Sequence, residues 1–220
     1  MSLRKYKHII WDWNGTILDD VFLCVDIMNG ILRRNNLPPI TIEKYKEVFT
    51  FPVRDYYEKV GLNMQNDNFI ILGKEFMDEY ELRRNTCSLH DGAVESLEYF
   101  KSLSQSQSVL SAYSHDTLVE ALNHYGILKY FDKVAGLDNI YAGSKLNNGK
   151  LLVGQIGIPS KEILLIGDTI HDFEVATELG IDCVLISFGH QSKEKIMKCG
   201  VPVIDSLNKL VNGKLTIPTK

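Results

Sequence analysis

The sequence lacks long apolar runs. The longest, residues 21–25, spans five residues, whereas a helix needs about 20 apolar residues to cross a bilayer. The first ten residues contain basic side chains, but Asp12 follows before the apolar region of a secretory signal could form. We therefore expect no membrane span, no secretory signal and a cytoplasmic location.

Cysteine is scarce, and its spacing carries no motif. The four cysteines form no C-x-x-C pair, and no histidines sit at zinc-finger spacing. This pattern argues against a zinc finger or a dithiol redox site. We expect reduced, buried thiols, as in most cytoplasmic proteins. The cysteines are Cys24, Cys87, Cys183 and Cys199.

Positive charge is not in excess. The chain has 24 Lys and Arg against 28 Asp and Glu, a net charge of −4, and its basic residues are scattered. Nucleic-acid-binding domains usually carry a basic patch or stripe, so we expect no nucleic-acid partner. With 45% hydrophobic and 24% charged residues, and only 16 Gly and 6 Pro, the composition is typical of a globular protein.

Short apolar runs alternate with helical patterns along the chain. Three of the helical patterns end at Gly126, Gly157 and Gly180, and glycine suits the left-handed backbone that follows a helix. The alternation predicts an α/β fold with a doubly wound, Rossmann-like parallel sheet. The predicted strands cover residues 8–13, 108–111, 133–135, 163–166, 182–187 and 201–204.

Residues 18–90 differ from the rest and contain no convincing strand. Their apolar residues follow a helical period, and Pro38, Pro39 and Pro52 divide the helices. About 70 residues is far more than a β-α-β crossover needs. We therefore predict an inserted all-helical cap domain over 18–90, with residues 1–17 and 91–220 forming the α/β core domain. Residues 102–108 are predicted to be a surface connection before the second strand.

Polar side chains follow the predicted strands at their carboxyl ends. In an open parallel sheet these ends meet at one edge, where ligands bind. Neighbouring carboxylates repel unless a cation lies between them, and Mg²⁺ favours carboxylate oxygens together with a phosphate. The pattern favours phosphoryl transfer through an aspartyl-phosphate on Asp12, which stands at an abrupt strand end. The residues in question are Asp12, Asn14, Thr16, Ser111, Lys145, Lys150, Asp168 and Asp172.

The segments DWNGTILDD and GDTIHD, with Ser111 and Lys145 between them, resemble the four motifs of the haloacid dehalogenase superfamily. The resemblance spans the chain, and CVLISFGHQS is similar to the phosphoglycolate-phosphatase-like branch. It implies a Mg²⁺-dependent hydrolase of small phosphate monoesters of the phosphoglycolate, sugar-phosphate or nucleotide type, with a helical cap that closes over the site. The implied partner is a small phosphorylated metabolite, and the expected assembly is a monomer or weak homodimer.

The resemblance also implies metal ligands. Asp12 would be both the nucleophile and a Mg²⁺ ligand, and Asn14 would offer its backbone carbonyl to the metal. Asp168 would bind Mg²⁺, and Asp172 would orient metal-bound water.

The same resemblance implies how the phosphate is held. Ser111 and the amide of Ala112 would bind it, together with Gly15 and Thr16 after the first strand. Lys145 would neutralise the charge of nucleophile and phosphate. Lys145 precedes Gly157 by 12 positions, near the usual family spacing, and is therefore preferred to Lys150.

Position 14 departs from the family phosphatases, which carry an aspartate there as acid and base. The amide of Asn14 cannot donate a proton to a leaving alkoxide, and general acid–base help is worth about 10²–10⁴-fold. Either the leaving group is good, or another residue supplies the proton, or turnover is slow. The alternatives are a phosphonoacetaldehyde-type phosphonate hydrolase and a weakly catalytic protein that binds a phosphorylated ligand or accepts a phosphoryl group.

Other polar residues near these motifs have simpler interpretations. His171 is interpreted as a surface or supporting histidine, and Asp19 and Asp20 as caps of the next helix. Arg54 and Tyr57 either face the substrate or lie on a solvated helix face. Asp20 and His171 are the first candidates for a substitute proton donor. No ligand spacing is evident for His90, His115, His124 and His190.

Overall fold

A computed structural model describes residues 3–137 and 145–211 of the chain. In this part of the chain, strands and helices alternate much as the hydropathy pattern predicts. The strands are β1 (His8–Trp11), β2 (Leu18–Asp19), β3 (Ser88–Leu89), β4 (Ser106–Ser114), β5 (Lys133–Leu137), β6 (Ile163–Gly167), β7 (Asp182–Ile186) and β8 (Val203–Ile204). The helices are α1 (Val21–Arg34), α2 (Ile42–Val48), α3 (Val53–Lys59), α4 (Asn68–Arg83), α5 (Ala93–Ser102), α6 (His115–His124), α7 (Lys145–Ile156), α8 (Ile170–Leu179), α9 (Lys193–Ile196) and α10 (Asn208–Val211).

Six strands form one parallel sheet in the order β5-β4-β1-β6-β7-β8. Strand β1 lies at the centre, pairing with β4 on one side and β6 on the other. The strand order reverses on either side of β1, which is the crevice position where doubly wound sheets bind ligands. The predicted α/β fold is thereby confirmed.

The central strands are buried on both faces, as parallel strands covered by helices should be. Ile9 and Trp11 belong to one apolar cluster, and Ile10 between them belongs to a second cluster on the opposite face. The predicted helix ends at three glycines are also confirmed, because Gly126, Gly157 and Gly180 all have positive φ, between 66° and 70°.

Helices α1–α4 form an insertion between β1 and β4, and α1 packs into the same apolar cluster as β1. The prediction that residues 18–90 contain no strand is wrong at both ends. Leu18–Asp19 pairs antiparallel with Ser88–Leu89. The two segments that connect the insertion to the core therefore form a short two-stranded ribbon. Strands of two residues have no hydropathy period, so the pattern could not reveal them. The predicted domain bounds at 17/18 and 90/91 stay predictions.

The polar stretch 102–108 is not a surface connection, contrary to the prediction. Ser102 ends α5, and β4 begins at Ser106. Gln107 is buried because its side chain is satisfied internally: its Oε1 accepts a hydrogen bond from Trp11 Nε1 at 3.0 Å, and its Nε2 donates to Leu97 O at 2.9 Å. Polar residues satisfied in this way are invisible to a hydropathy pattern.

The sequence pattern predicts no membrane-spanning helix. Across the described residues, no helix combines the length and apolarity needed to cross a membrane.

Candidate active site

The carboxyl ends of β1 and β6 bring two aspartates together at the sheet's switch point. Asp12 directly follows β1, and its backbone amide donates to Ile166 O of β6 at 2.9 Å. Asp168 directly follows β6 and is 1% exposed. Ser111 was expected to end its strand, but β4 continues to Ser114 with an irregular register after Leu110. Ser111 and Ala112 nevertheless line the same cavity as the two aspartates.

Lys145 connects two of the site's carboxylates. It is the first residue of α7, and its Nζ donates to Asp12 Oδ1 and to Asp172 Oδ1, the latter at 2.5 Å. Burial alone would lower the pKa of Lys145, but the two carboxylates outweigh burial and raise it above its ordinary value. Lys150 lies further along the same helix and is exposed. The structure therefore places Lys145, and not Lys150, at Asp12.

Three carboxylates form a group that suits a hard divalent cation. Oxygens of Asp12, Asp168 and Asp172 all lie within 4.8 Å of one another, and all three residues are buried. Burial, reinforced by the neighbouring Asp172 charge and opposed by Lys145, raises the pKa of Asp12 to about 6. Burial also raises the pKa of Asp168 to about 8, with Asp12 and Asp172 adding to the effect and His190 opposing it. An oxygen-only donor set whose negative charge exceeds that of its lysine partner fits Mg²⁺.

Asp172 is held in place by the start of its own helix. Thr169 caps α8 by accepting from the Asp172 amide, and Asp172 Oδ2 accepts from the Thr169 amide at 2.9 Å. Burial alone would raise the pKa of Asp172, but Lys145 and the Thr169 hydrogen bonds lower it below its ordinary range. The capping box therefore fixes a charged carboxylate at the edge of the site.

The Asn14 side chain is hydrogen-bonded to Asp20, and the prediction that the Asp20 side chain caps the next helix is wrong. Asp20 precedes α1 but makes no capping hydrogen bond with its side chain. It is 0% exposed; its Oδ2 accepts from Asn14 Nδ2 at 2.9 Å and from Tyr80 OH at 2.7 Å, and its Oδ1 accepts from Gly15 N at 2.8 Å. The sequence position of Asp20 just before a helix predicts a cap, and the distant donor Tyr80, 60 residues further along the chain, could not be inferred from it.

His190 completes this network, although no ligand spacing pointed to it. Its Nε2 lies 3.1 Å from Asp20 Oδ1, its Nδ1 lies 2.8 Å from Tyr45 OH, and its backbone amide donates to Asp168 Oδ2 at 2.6 Å. Burial opposes the charged ring, but Asp20 outweighs it and raises the pKa of His190 to about 9. Burial would likewise raise the pKa of Asp20, and His190 lowers it. The position of His190 shortly after β7, at another carboxyl strand end, was the available signal.

Gly15 and Thr16 lie behind the site and do not line its cavity. Gly15 has φ +73°, and a Cβ there would come within 2.5 Å of the Asp168 carboxylate and closer still to the His190 ring. Only glycine fits this position. Thr16 is buried, with its Oγ1 3.4 Å from Asp168 Oδ1. Their predicted contact with phosphate stays a prediction, and the structure shows both residues supporting the carboxylates.

A cavity of about 340 Å³ lies between the sheet edge and the inserted helices. Its lining contains Asp12, Ser111 and Lys145 on the side of the sheet, and His171 at the start of α8. The insertion contributes eight aromatic side chains: Tyr45, Phe49, Phe51, Tyr56, Tyr57, Phe69, Phe76 and Tyr80.

Of the two insertion residues with open interpretations, one faces the cavity. Tyr57 is buried and lines it. Arg54 does not line it, because its guanidinium donates to Met64 O and lies 3.7 Å from Glu58 Oε1. The described wall contributed by the insertion therefore contains no lysine or arginine.

Known proteins share the sequence pattern of this chain. The family model described as "Haloacid dehalogenase-like hydrolase" matches residues 9–186. The chain is 23% identical over 198 residues to the tyrosine-protein kinase PtkA of Mycobacterium tuberculosis, covering 89% of this chain and 67% of that protein. It is 22% identical to the phosphoglycolate phosphatase of Pseudomonas savastanoi pv. phaseolicola, covering 95% and 80%.

The fold also matches solved structures. A haloacid dehalogenase-like family hydrolase from Streptococcus pneumoniae superposes with a TM-score of 0.80 at 16% identity. The superposition covers 94% of this chain and 98% of that one. At this identity, the likeness establishes the shared fold and leaves the chemistry to be argued from the residues.

The contact between Asn14 and Asp20 predicts a compensating pair of substitutions. Asn14→Asp replaces a donor with a second buried carboxylate, so we expect it to lower the free energy of unfolding by about 2–4 kcal/mol. Asp20→Asn leaves His190 unpaired and should cost a similar amount. The double variant keeps one amide facing one carboxylate, and should recover about 1–3 kcal/mol relative to the sum of the single changes. Urea unfolding at pH 7 in EDTA measures all four proteins. Additive losses would show that the two side chains do not interact.

The raised carboxylate pKa values predict a pH-dependent response to Mg²⁺. A folded pKa of about 8 for Asp168 lies above the unfolded value, so its contribution to stability is present at low pH and is lost as the pH rises towards 8. Because Mg²⁺ binds the ionised carboxylates, its addition to chelated protein should raise Tm more at pH 8 than at pH 6. Asp168→Asn should abolish the response. Thermal unfolding with KCl at equal ionic strength is the control for screening. An equal shift at both pH values, or a shift retained in Asp168→Asn, contradicts the metal site.

Proposed function

The chain belongs to the haloacid dehalogenase-like hydrolase family, and on that premise we propose that it is a Mg²⁺-dependent phosphatase of small phosphate monoesters. The observation that carries the proposal is the placement of Asp12. Its carboxylate lines the cavity beside Lys145, Ser111 and two further carboxylates. The phosphatase relative supports the same reaction class.

The proposed reaction has two phosphoryl transfers. A carboxylate oxygen of Asp12 attacks phosphorus, forming a P–O bond to the enzyme while the ester P–O bond breaks and its electron pair leaves with the alcohol oxygen. Water then attacks the aspartyl-phosphate, releasing phosphate and restoring Asp12. Lys145, Ser111 and the Ala112 amide would hold the phosphoryl oxygens through both transfers.

Mg²⁺ would be held by Asp12, Asp168 and the backbone carbonyl of Asn14, with Asp172 orienting its water. When bound, it would offset the negative charge of phosphate and carboxylates. Lys145 would do the same from the other side, since its ammonium already contacts Asp12 and Asp172. The inserted helices would act as the cap, excluding water from the cavity while the substrate is bound.

The proposal includes a departure at the proton-transfer step. Asn14 has no proton to give to a leaving oxygen, and its amide is engaged by Asp20. Asp20 is itself an ionised acceptor of several hydrogen bonds. The described network thus supplies no neutral acid at position 14, and the leaving group must depart largely as an anion.

A second candidate function is transfer of the phosphoryl group to an acceptor other than water. The observation in its favour is the match to a protein named as a tyrosine kinase, over 89% of this chain. The weakly catalytic phospho-ligand-binding protein and the phosphonate hydrolase also remain as alternatives. We further propose a cytoplasmic location, since all four cysteines are free thiols, and a monomer or weak homodimer.

Substitution of the nucleophile tests the proposal directly. Asp12→Asn keeps the shape of the side chain but removes its nucleophilic oxygen charge, so phosphate release should fall by about 10³-fold or more. The assay measures multiple-turnover release of inorganic phosphate from acetyl phosphate with Mg²⁺. Asp132→Asn, a matched change at an exposed position, should retain activity. Retained activity in Asp12→Asn removes this residue as the nucleophile.

The missing acid predicts a steep dependence on the leaving group. Because the leaving oxygen carries its own charge, kcat/KM should fall strongly as the alcohol becomes more basic, from nitrophenyl through phenyl to alkyl phosphates. Glu95→Gln, a change of an exposed carboxylate on α5, provides a matched control with the same steepness as the native enzyme. A shallow dependence in the native enzyme would mean that another group, with His171 as the first candidate, donates the proton.

A further inference from the structure

The wall that the inserted helices add to the cavity is aromatic. Its rings pack against one another edge to face. The ring centroids of Phe49 and Tyr56 are 5.3 Å apart, and those of Tyr57 and Phe69 are 5.7 Å apart. Apart from Asp20, the described lining residues of the insertion have apolar or aromatic side chains. Such a wall favours another aromatic ring, which can join the cluster through edge-to-face and offset contacts.

The same wall opposes strongly polar ligands. A carboxylate on the substrate would be buried against this wall without a lysine or arginine from it, since Arg54 is held by Met64 O and Glu58. Sugar hydroxyls would lose their hydrogen bonds to water and find few hydrogen-bond partners on this wall. Both kinds of group are costly to bury without a compensating contact. Phosphoglycolate and hexose phosphates are therefore poor matches to this cavity.

One buried hydroxyl of the wall has no hydrogen-bond partner among the described residues. Tyr56 lines the cavity and is 2% exposed, and its buried hydroxyl has no hydrogen-bond partner in the described structure. Buried hydroxyls are normally hydrogen-bonded. Because the hydroxyl itself is closed to solvent, a ligand in the cavity meets the ring of Tyr56 and not its oxygen.

The leaving-group chemistry independently favours the same ligand class. With Asn14 at the usual acid position, the enzyme needs an oxygen that departs readily as an anion. A phenol, with a pKa near 10 as in tyrosine, is a far better leaving group than an alkyl alcohol. Aromatic lining and the missing acid thus point to one substrate type.

We propose that the substrate is a small aryl phosphate monoester, in which a phenolic oxygen carries the phosphoryl group and the ring lies against the aromatic wall. This inference rests on the proposed phosphatase function. The aryl P–O bond breaks as Asp12 bonds to phosphorus, and the phenolate leaves with the electron pair and takes a proton from water. Water then hydrolyses the aspartyl-phosphate to inorganic phosphate.

The cavity fits a whole small molecule better than a side chain on a polypeptide. Its volume of about 340 Å³ lies at the low end of the roughly 300–1,000 Å³ found for small-molecule sites. The insertion is tied to the rest of the site on both sides, by Tyr45 to His190 and by Tyr80 to Asn14. A phosphotyrosyl peptide would have to displace these contacts to bring its phosphate to Asp12.

The test compares substrates that differ in shape but not in leaving-group acidity. Phenyl phosphate and 1-naphthyl phosphate are compared with a fluorinated alkyl phosphate whose alcohol is as acidic as phenol. We expect kcat/KM to be at least about tenfold higher for the aryl esters, and higher for free phosphotyrosine than for a phosphotyrosyl peptide. Phosphoglycolate should be the poorest substrate. Acetyl phosphate, which has no ring, reports on the phosphatase function separately.

A glycine on α4 allows a variant with a matched control. Gly73 lines the cavity, and an added Cβ there would meet no atom within 4 Å. Gly73→Leu should fill part of the cavity and lower kcat/KM for 1-naphthyl phosphate by about tenfold or more, mainly through KM. Gly154→Leu makes the same change in α7, also with open space around it and away from the lining residues, and should leave the value unchanged.

The outcomes separate the two levels of the proposal. Hydrolysis of acetyl phosphate with no preference for aryl over acidity-matched alkyl esters overturns the aryl inference and leaves the phosphatase function standing. Preference for the phosphotyrosyl peptide overturns the small-molecule assignment. No hydrolysis of acetyl phosphate or of any of the esters overturns both. The substrate comparison uses the native protein, so it decides the matter even if Gly73→Leu does not fold.

Discussion

Four buried carboxylates share the carboxyl edge of the sheet, and two buried cations hold them there. Lys145 bonds to Asp12 and Asp172, while the His190 side chain pairs with Asp20 and its amide bonds to Asp168. The formal charges leave an excess of two negative charges. Burial makes that excess negative charge costly unless a divalent cation neutralises it. The electrostatics of the site therefore favour the metal that the proposed reaction needs.

The same compensation joins the inserted helices to the core. Asp20 directly precedes α1 and pairs with His190 of the core. Tyr45 of α2 also contacts His190, and Tyr80 of α4 accepts a hydrogen bond from Asn14. Asn14 fits the arrangement because its amide donates to Asp20, where an aspartate would place like charges together. The departure from the family pattern thus has a structural reason. Because Asn14 has no proton to donate, the proposed reaction requires a leaving group whose oxygen departs as an anion.

The fold was predictable because its central strands are continuous apolar runs, and because glycines mark the helix ends. Asp12, Asp168, Asp172 and Lys145 were predictable as a group, since strand ends converge in a parallel sheet. The pairing of Asp20 with His190 was not, because the two residues lie far apart in the sequence and each has an ordinary local interpretation.

The aromatic wall was equally hidden from the sequence. Locally, Tyr45, Phe49 and Phe69 indicate only apolar packing, and it is the packing of the insertion over the sheet that places them at the cavity. The short ribbon of β2 and β3, which fixes where the insertion leaves and rejoins the core, is too brief to leave a hydropathy signal.

The central claim is that Asp12 is the group that receives the phosphoryl unit. The most direct measurement is a crystal structure of the protein grown with Mg²⁺ and beryllium fluoride, which mimics a phosphoryl group bonded to a carboxylate. We predict beryllium bonded to a carboxylate oxygen of Asp12, with Lys145 and Ser111 at the fluorides and Mg²⁺ between Asp12 and Asp168. Beryllium fluoride bonded to Asp20 or Asp172 instead, or Mg²⁺ bound with Asp12 left free, would contradict the account.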